Sequence, residues 1–206
     1  MAALHKPCLR AIMEQFSLYF QIGRDHILDL SMGLDHILFV FALAAVYLIR
    51  DWKKILILVT AFTIGHSITL VLATLKVISV RTNVVEFAIV VTIFIAAVSN
   101  LFQKGEVSGA RVQINYIYAW FFGLIHGLGF SNTLRAMLAK SQDITVPLLA
   151  FNLGLEFGQI IIVVVFLTAG FIAVSLFGVG RRDWKIMVSS AIAGASLQLI
   201  QDRIYW

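Results

Sequence analysis

Long apolar runs separated by short charged segments are the feature of this sequence that most restricts its fold. Of the 206 residues, 60% are hydrophobic and 13% are charged. Soluble domains are about 45–50% apolar and about 25% charged, so this composition excludes an ordinary soluble domain. Each run is close to the ~20 residues that an α-helix needs to cross the hydrocarbon of a bilayer. The sequence therefore predicts an all-α, polytopic membrane protein that is in contact with lipid.

The same pattern predicts a single transmembrane domain over residues 1–206, built as a bundle of about six transmembrane helices. Residues 1–24 combine scattered charges with apolar residues at three- and four-residue steps, which predicts an N-terminal amphipathic interfacial helix. The fifth span is longer than a bilayer requires, so we expect it to tilt, to kink or to continue into the interface. The predicted spans are residues 30–49, 54–76, 84–103, 114–134, 146–177 and 184–204.

The distribution of charge indicates a membrane partner rather than a nucleic acid. The net charge is +5, but the basic residues cluster at the ends of the predicted spans, as in Arg50, Lys53 and Lys54. This placement is typical of loops that meet anionic headgroups, so we expect no nucleic-acid partner. The loops after the first, third and fifth spans carry most of the loop Lys and Arg. By the positive-inside rule these loops are cytoplasmic, and both termini lie on the opposite side.

Histidines inside the apolar runs are the first candidates for a functional site. His66 and His126 lie in the middle of predicted spans, and His36 follows Asp35 near the start of the first span. Ionisable groups are costly in lipid, so they normally face the interior of the bundle and mark an ion or substrate site. Several imidazoles together with carboxylates favour a divalent transition metal, and Ni, Co, Zn and Cu all suit such ligands. Cys8 is the single cysteine, which excludes a thiolate-rich metal site.

The fifth span carries a polar stripe through an otherwise apolar helix. Asn152, Glu156 and Gln159 are spaced at i, i+4 and i+7, which puts them on one helical face. A buried carboxylate needs a positive partner because an isolated buried charge is very costly. No Lys or Arg lies in the middle of a predicted span. We therefore expect Glu156 to meet a metal ion or an imidazolium, or to carry a proton itself.

Glycines flank two of these ionisable residues at a spacing that favours close helix packing. Gly123 and Gly127 are on either side of His126, and Gly154 and Gly158 are on either side of Glu156. The pattern G-x-x-x-G lets another helix backbone approach closely. We expect His126 to be held tightly against a neighbouring helix.

Several further polar residues are secondary candidates. Ser67 follows His66 on the second span, and both share a helical face with Thr63. His26 and Asp29 precede the first span, where they form either a gate or a cluster solvated by headgroups. Glu86 begins the third span, as either a site residue or an interfacial carboxylate that the helix dipole stabilises.

Four motifs follow one another along the chain: GLDHILFV, AFTIGHSITL, FGLIHGLGF and FNLGLEFGQ. Together they resemble the HupE/UreJ family of small bacterial membrane proteins over about residues 23–165. Members of this family are often associated with hydrogenase or urease systems and are regarded as nickel or cobalt permeases or accessory proteins. The resemblance implies a multi-pass protein of the bacterial cytoplasmic (inner) membrane with a nickel/cobalt-type transport or metal-delivery function. The characteristic positions of the family correspond to Asp35, His36, His66, His126, Asn152 and Glu156.

Three functions remain open at this point. In a permease or metal-delivery protein, the three mid-bundle histidines bind the ion, and Glu156 and Asp35 complete its shell or balance its charge. In an intramembrane zinc-dependent hydrolase, the same histidines hold zinc while Asp35 or Glu156 acts as general base. In an accessory protein the histidines only hold a metal or a partner helix. Six helices are few for a carrier, so transport would favour a homo-oligomer.

Overall fold

The chain folds into a bundle of helices. The computed structural model describes residues 2–30, 33–103, 109–138 and 144–205. Within these ranges it contains seven α-helices and no strand, which confirms the all-α prediction. The helices are α1 (Ala2–Leu28), α2 (Leu34–Ala44), α3 (Trp52–Thr74), α4 (Thr82–Phe102), α5 (Gly109–Leu138), α6 (Thr145–Phe171) and α7 (Arg181–Asp202).

Three helical segments of the described chain are long and apolar enough to cross a membrane. They are Ile49–Thr74, Thr82–Phe102 and Thr145–Leu176. About six such spans were expected. The helices α5 and α7 are long but do not meet the same criterion of apolarity, and α7 opens with two arginines and an aspartate. Helix α2 is apolar, but its 11 residues cover only about 17 Å.

The first predicted span, residues 30–49, corresponds to a short helix that follows a tight turn. The N–H of Gly33 donates to the carbonyl of Asp29 at 2.6 Å, and the N–H of Ile37 donates to the carbonyl of Gly33 at 3.1 Å. A Cβ atom on Gly33 would lie 2.6 Å from the carbonyl oxygen of His26, so this turn requires glycine. The turn brings the end of α1 next to the start of α2.

Helix α1 is longer than the predicted amphipathic segment and packs along α6. Near its start it exposes Leu9 and Met13, whereas Tyr19 and Ile27 are buried. The rings of Phe41 and Phe166 lie 4.8 Å apart, so α2 packs on the later part of the same helix. The helices α1 and α2 therefore cover successive parts of α6.

Glycines bring the backbones of α1 and α6 into contact. A Cβ atom on Gly154 would overlap the carbonyl oxygen of Phe20, and a Cβ atom on Gly158 would lie 3.2 Å from the carbonyl oxygen of Arg24. The later residue of α6 contacts the later residue of α1, so the two helices run in the same direction.

A second pair, α3 and α5, packs in the same way. A Cβ atom on Gly123 would overlap the carbonyl oxygen of Phe62, and a Cβ atom on Gly127 would overlap the carbonyl oxygen of His66. These helices also run in the same direction. The close approach fits the G-x-x-x-G spacing in the sequence.

Helix α6 ends in an irregular turn. Its regular part stops at Phe171, and a π-helical turn continues over Ile172–Leu176. Gly178 then adopts a φ of 69°, which favours glycine, before α7 begins. The long fifth predicted span thus ends in a change of helical type.

Candidate intramembrane histidine site

Four histidines from four helices meet inside the bundle. The ring centroid of His36 lies 4.9 Å from that of His26, 5.2 Å from that of His126 and 6.2 Å from that of His66. The side chains of His36, His66 and His126 are 6%, 0% and 1% exposed, and His26 is half-buried. We call these four residues the histidine cluster. His36 is its centre.

The packing of the helices fixes the members of the histidine cluster relative to one another. His66 and His126 are held by the glycine contacts between α3 and α5, because the backbone of His66 lies directly against Gly127. His26 is in the last turn of α1, and the turn at Gly33 places the start of α2 beside it. Sequence reasoning ranked His26 as a secondary residue, but the fold brings it against His36.

Phenylalanine rings enclose the histidine cluster. Phe39 and Phe62 lie 5.0 Å and 5.2 Å from the ring of His126. Phe130 lies 4.1 Å from the ring of His26. Phe151 stacks on His66 at 6.4 Å. An apolar wall of this kind excludes water and strengthens every electrostatic interaction inside it.

Most of the imidazole nitrogens in the histidine cluster are buried and lack a hydrogen-bond partner. They are Nε2 of His26 and both nitrogens of each of the other three rings. Buried polar atoms nearly always have a partner, and leaving one without costs about 1–3 kcal/mol. Four neutral imidazoles with free lone pairs are a donor set that suits a borderline-soft divalent metal.

The distances between the rings are suitable for a shared metal ion, but the orientations of the rings are not. With metal–nitrogen bonds of about 2 Å, two imidazoles on one tetrahedral ion have ring centroids about 5 Å apart. Two of the three centroid distances from His36 are close to that value. In the described part of the chain, however, no three His, Cys, Asp or Glu side chains are grouped so that they could hold a metal ion. Binding would require the rings to rotate.

Asp35 faces away from the histidine cluster and forms an ion pair. Its Oδ2 lies 2.6 Å from Nη1 of Arg203, and its Oδ1 is buried without a partner. The same arginine atom is 3.4 Å from the carbonyl oxygen of Glu86, whose side chain is exposed. Adjacent helical residues diverge by about 100°, which explains why Asp35 turns to α7 while His36 turns inward. In the sequence, Arg203 has no signal beyond a charge at the end of the last predicted span, so nothing local points to its pairing with Asp35.

Two residues of the polar stripe of α6 bond to α3, and the third bonds within α6 itself. Oε1 of Glu156 accepts a hydrogen bond from Thr60 at 2.7 Å, and Oε1 of Gln159 accepts one from Thr63 at 2.8 Å. Asn152 donates to the carbonyl of Leu148 at 2.8 Å. Glu156 and Gln159 therefore join α6 to α3, and the partner observed for Glu156 is a hydroxyl group.

The remaining candidates have different places around the histidine cluster. The side chain of Asn152 lies beside His66, although the two make no regular hydrogen bond. Asp29 interacts electrostatically with His26. Ser67 donates to the carbonyl of Thr63 in its own helix at 2.7 Å, which is a local bond.

Comparison with known protein families matches nearly the whole chain. A family model described as HupE / UreJ protein matches residues 4–205. Searches of curated proteins and of solved structures gave no match. Neither the family match nor the surroundings of Asp35 and Glu156 support the intramembrane hydrolase. Because the family model spans nearly the whole chain and includes all four residues of the histidine cluster, this membrane protein belongs to the HupE/UreJ family.

Proposed function

We propose that the protein binds a divalent transition-metal ion, of nickel or cobalt type, in the histidine cluster and conveys it across the bacterial inner membrane. The observation that carries this proposal is the position of His36, whose ring lies within 6.2 Å of three other imidazole rings. The ion is cargo. It would be held by rotated forms of these rings, with His36, His66 and His126 as its main ligands and His26 as a fourth.

The two carboxylates expected to balance the charge of the ion have other partners, which favours transport over permanent storage. Asp35 is paired with Arg203, and Glu156 accepts from a threonine hydroxyl. Asp29 interacts with His26, so the charge of the ion is only partly balanced inside an apolar wall, where buried charge is costly. Affinity is thereby limited, and conduction requires binding weak enough for the ion to leave.

The helix directions support six membrane crossings. The helices α1 and α2 together would form the first crossing, and each of α3 to α7 would form one more. Successive crossings then alternate in direction, so the first and fifth crossings run the same way, and so do the second and fourth. The parallel packing of α1 with α6 and of α3 with α5 agrees with this order. We place both termini outside the cytoplasm, by the positive-inside rule.

The identity of the cargo rests on two arguments. Imidazole ligands suit Ni²⁺, Co²⁺, Cu²⁺ and Zn²⁺, so the ligand chemistry alone gives a group of ions. The family resemblance favours nickel or cobalt within that group. The expected homo-oligomer stays a prediction, and the mass of the purified protein in detergent tests it.

The test is metal binding followed by flux. Purified protein should bind about one Ni²⁺ or Co²⁺ per chain, and His36→Gln should weaken binding more than about 10-fold, since even outer-shell changes cost 10- to 100-fold. His5→Gln is the matched control because it removes the one histidine outside the cluster. Proteoliposomes loaded with a metal-sensitive dye then report transport.

The outcomes separate the hypotheses. Binding with flux that His36→Gln abolishes supports a permease. Binding without flux assigns the chain a delivery role in which the metal passes to another protein. If the protein binds none of Ni²⁺, Co²⁺, Zn²⁺ and Cu²⁺ in excess, the proposal is wrong.

A further inference from the structure

A large cavity lies at the end of the bundle where α7 begins. Its volume is about 1190 Å³, and its wall comes from the segment between α2 and α3, the end of α4 and the first turns of α7. Arg203, which pairs with Asp35 beside the histidine cluster, follows the other end of α7. The 22 residues of that helix cover about 33 Å, so the cavity is remote from this ion pair. We call it the basic pocket.

The wall of the basic pocket is strongly positive. Among the described residues, five cationic side chains and one carboxylate line it. The carboxylate, Asp51, is 2.7 Å from Nζ of Lys54. Asp183 lies against Gly180 in the first turn of α7 and is not part of the wall. The cations are Arg50, Lys54, Arg181, Arg182 and Lys185.

This charge balance selects an anion. The excess of positive charge would repel a divalent cation, so the basic pocket is not a suitable binding site for the metal ion proposed as cargo. Three of the cations are arginines, whose planar guanidinium groups match the oxygens of phosphate in a two-point contact. The position of Lys185 is fixed by a hydrogen bond, because its ammonium group donates to the carbonyl oxygen of Gln103 and so connects α7 to α4.

Apart from Gln103, the rest of the wall consists of apolar and aromatic side chains. Leu48, Leu101 and Phe102 face the basic pocket, together with the aromatic residues Tyr47 and Trp184. Phe102 is also 79% exposed at the surface of the bundle. A site that combines several cations with an apolar surface suits a phosphate group attached to a hydrocarbon chain, as well as phosphate itself.

We propose that the basic pocket is a binding site for a phosphate group. The phosphate comes either from the headgroup of an anionic phospholipid or from a soluble phosphate anion. Its oxygens contact the arginines at the junction of α2, α4 and α7. The bound group thereby links the segment between α2 and α3, which carries Arg50, to the first turn of α7.

The experiment measures binding of two probes to the full-length protein in detergent. The probes are phosphatidylglycerol, with phosphatidylcholine as the neutral reference, and inorganic phosphate. Native mass spectrometry counts bound lipid, and titration calorimetry measures phosphate. The variants are Arg182→Gln and the double variant Arg50→Gln/Arg182→Gln. Lys53→Gln is the matched control because it removes one charge from the same surface but lies outside the wall.

We expect each removed arginine to weaken binding about five-fold, while Lys53→Gln leaves it near the wild-type value. Phosphatidylglycerol binding without phosphate binding identifies a lipid site, and phosphate binding that lipid does not displace identifies a soluble ligand. Equal losses in Lys53→Gln and Arg182→Gln overturn the proposal, since they indicate diffuse surface attraction. Absence of binding by both probes to folded wild-type protein overturns it as well. Circular dichroism and thermal unfolding confirm that each variant is folded.

Discussion

The close contact between α3 and α5 makes Gly127 a sensitive backbone position near the histidine cluster. In Gly127→Ala, the new Cβ would lie closer than 3.0 Å to the carbonyl oxygen of His66 and to the hydroxyl of Thr69. Carbon atoms in ordinary contact are about 3.5–4.0 Å from their neighbours, so the two helices must move apart by roughly 1 Å. Overpacking of this kind costs about 1–3 kcal/mol. The same shift separates His66 from His126.

Gly194→Ala is the matched control for this change. Gly194 also lies in a helix, but a Cβ there meets no atom within 4 Å. Replacing an open helical glycine by alanine favours the helix by about 1 kcal/mol. The two substitutions are chemically identical, and we expect opposite effects on stability.

Thermal unfolding in detergent and the metal affinity of the purified variants measure these effects. Gly127→Ala should unfold at a lower temperature and bind Ni²⁺ or Co²⁺ more weakly than the wild type. Gly194→Ala should unfold at the same or a higher temperature and retain affinity. If Gly127→Ala matches the wild type in both measurements, the backbone contact between α3 and α5 does not have the geometry described, and it does not position the site.

Three further changes test the polar contacts around the histidine cluster. Arg203→Gln leaves the carboxylate of Asp35 without its partner and should destabilise the protein by about 1–3 kcal/mol, while adding Asp35→Asn should recover much of the loss. Unfolding of the two single variants and the double variant gives the interaction energy of the two side chains, and purely additive effects would refute the ion pair. Glu156→Gln keeps an oxygen acceptor for its hydroxyl donor, so metal affinity should not change, and a large loss in binding assays would make Glu156 a ligand. Gln159→Leu should cost about 1–3 kcal/mol in unfolding experiments because Thr63 loses its acceptor, and an unchanged melting temperature would contradict that bond.

The parts of the fold that repeat a local pattern were predictable from the sequence. The apolar runs predicted helices at 54–76 and 84–103, and the structure has α3 over Trp52–Thr74 and α4 over Thr82–Phe102. The glycine spacing around His126 predicted a close helix contact, because this pattern acts through the backbone alone.

The remaining features depend on contacts between distant parts of the chain. The ion pair of Asp35 with Arg203 joins residues that are 168 positions apart, so no local spacing signals it. The break before α2 follows Asp29 at the start of the first predicted span, and it depends on the contact of Gly33 with the carbonyl group of His26, which no local spacing signals. That break also explains His26, whose ten-residue distance from His36 in sequence hides their contact in space.

The turn at Gly33 has a mechanical consequence for the histidine cluster. His66 and His126 lie on helices of 23 and 30 residues, whose backbones are in close contact at Gly123 and Gly127. The central ring, on His36, is carried by a helix of 11 residues. A rotation of that short helix about its axis would move the central imidazole relative to the other three, and it would also move Asp35 against Arg203 and Phe39 against Phe62. A change in the coordination of a bound ion at His36 is therefore coupled to the ion pair and to the core packing of the same helix.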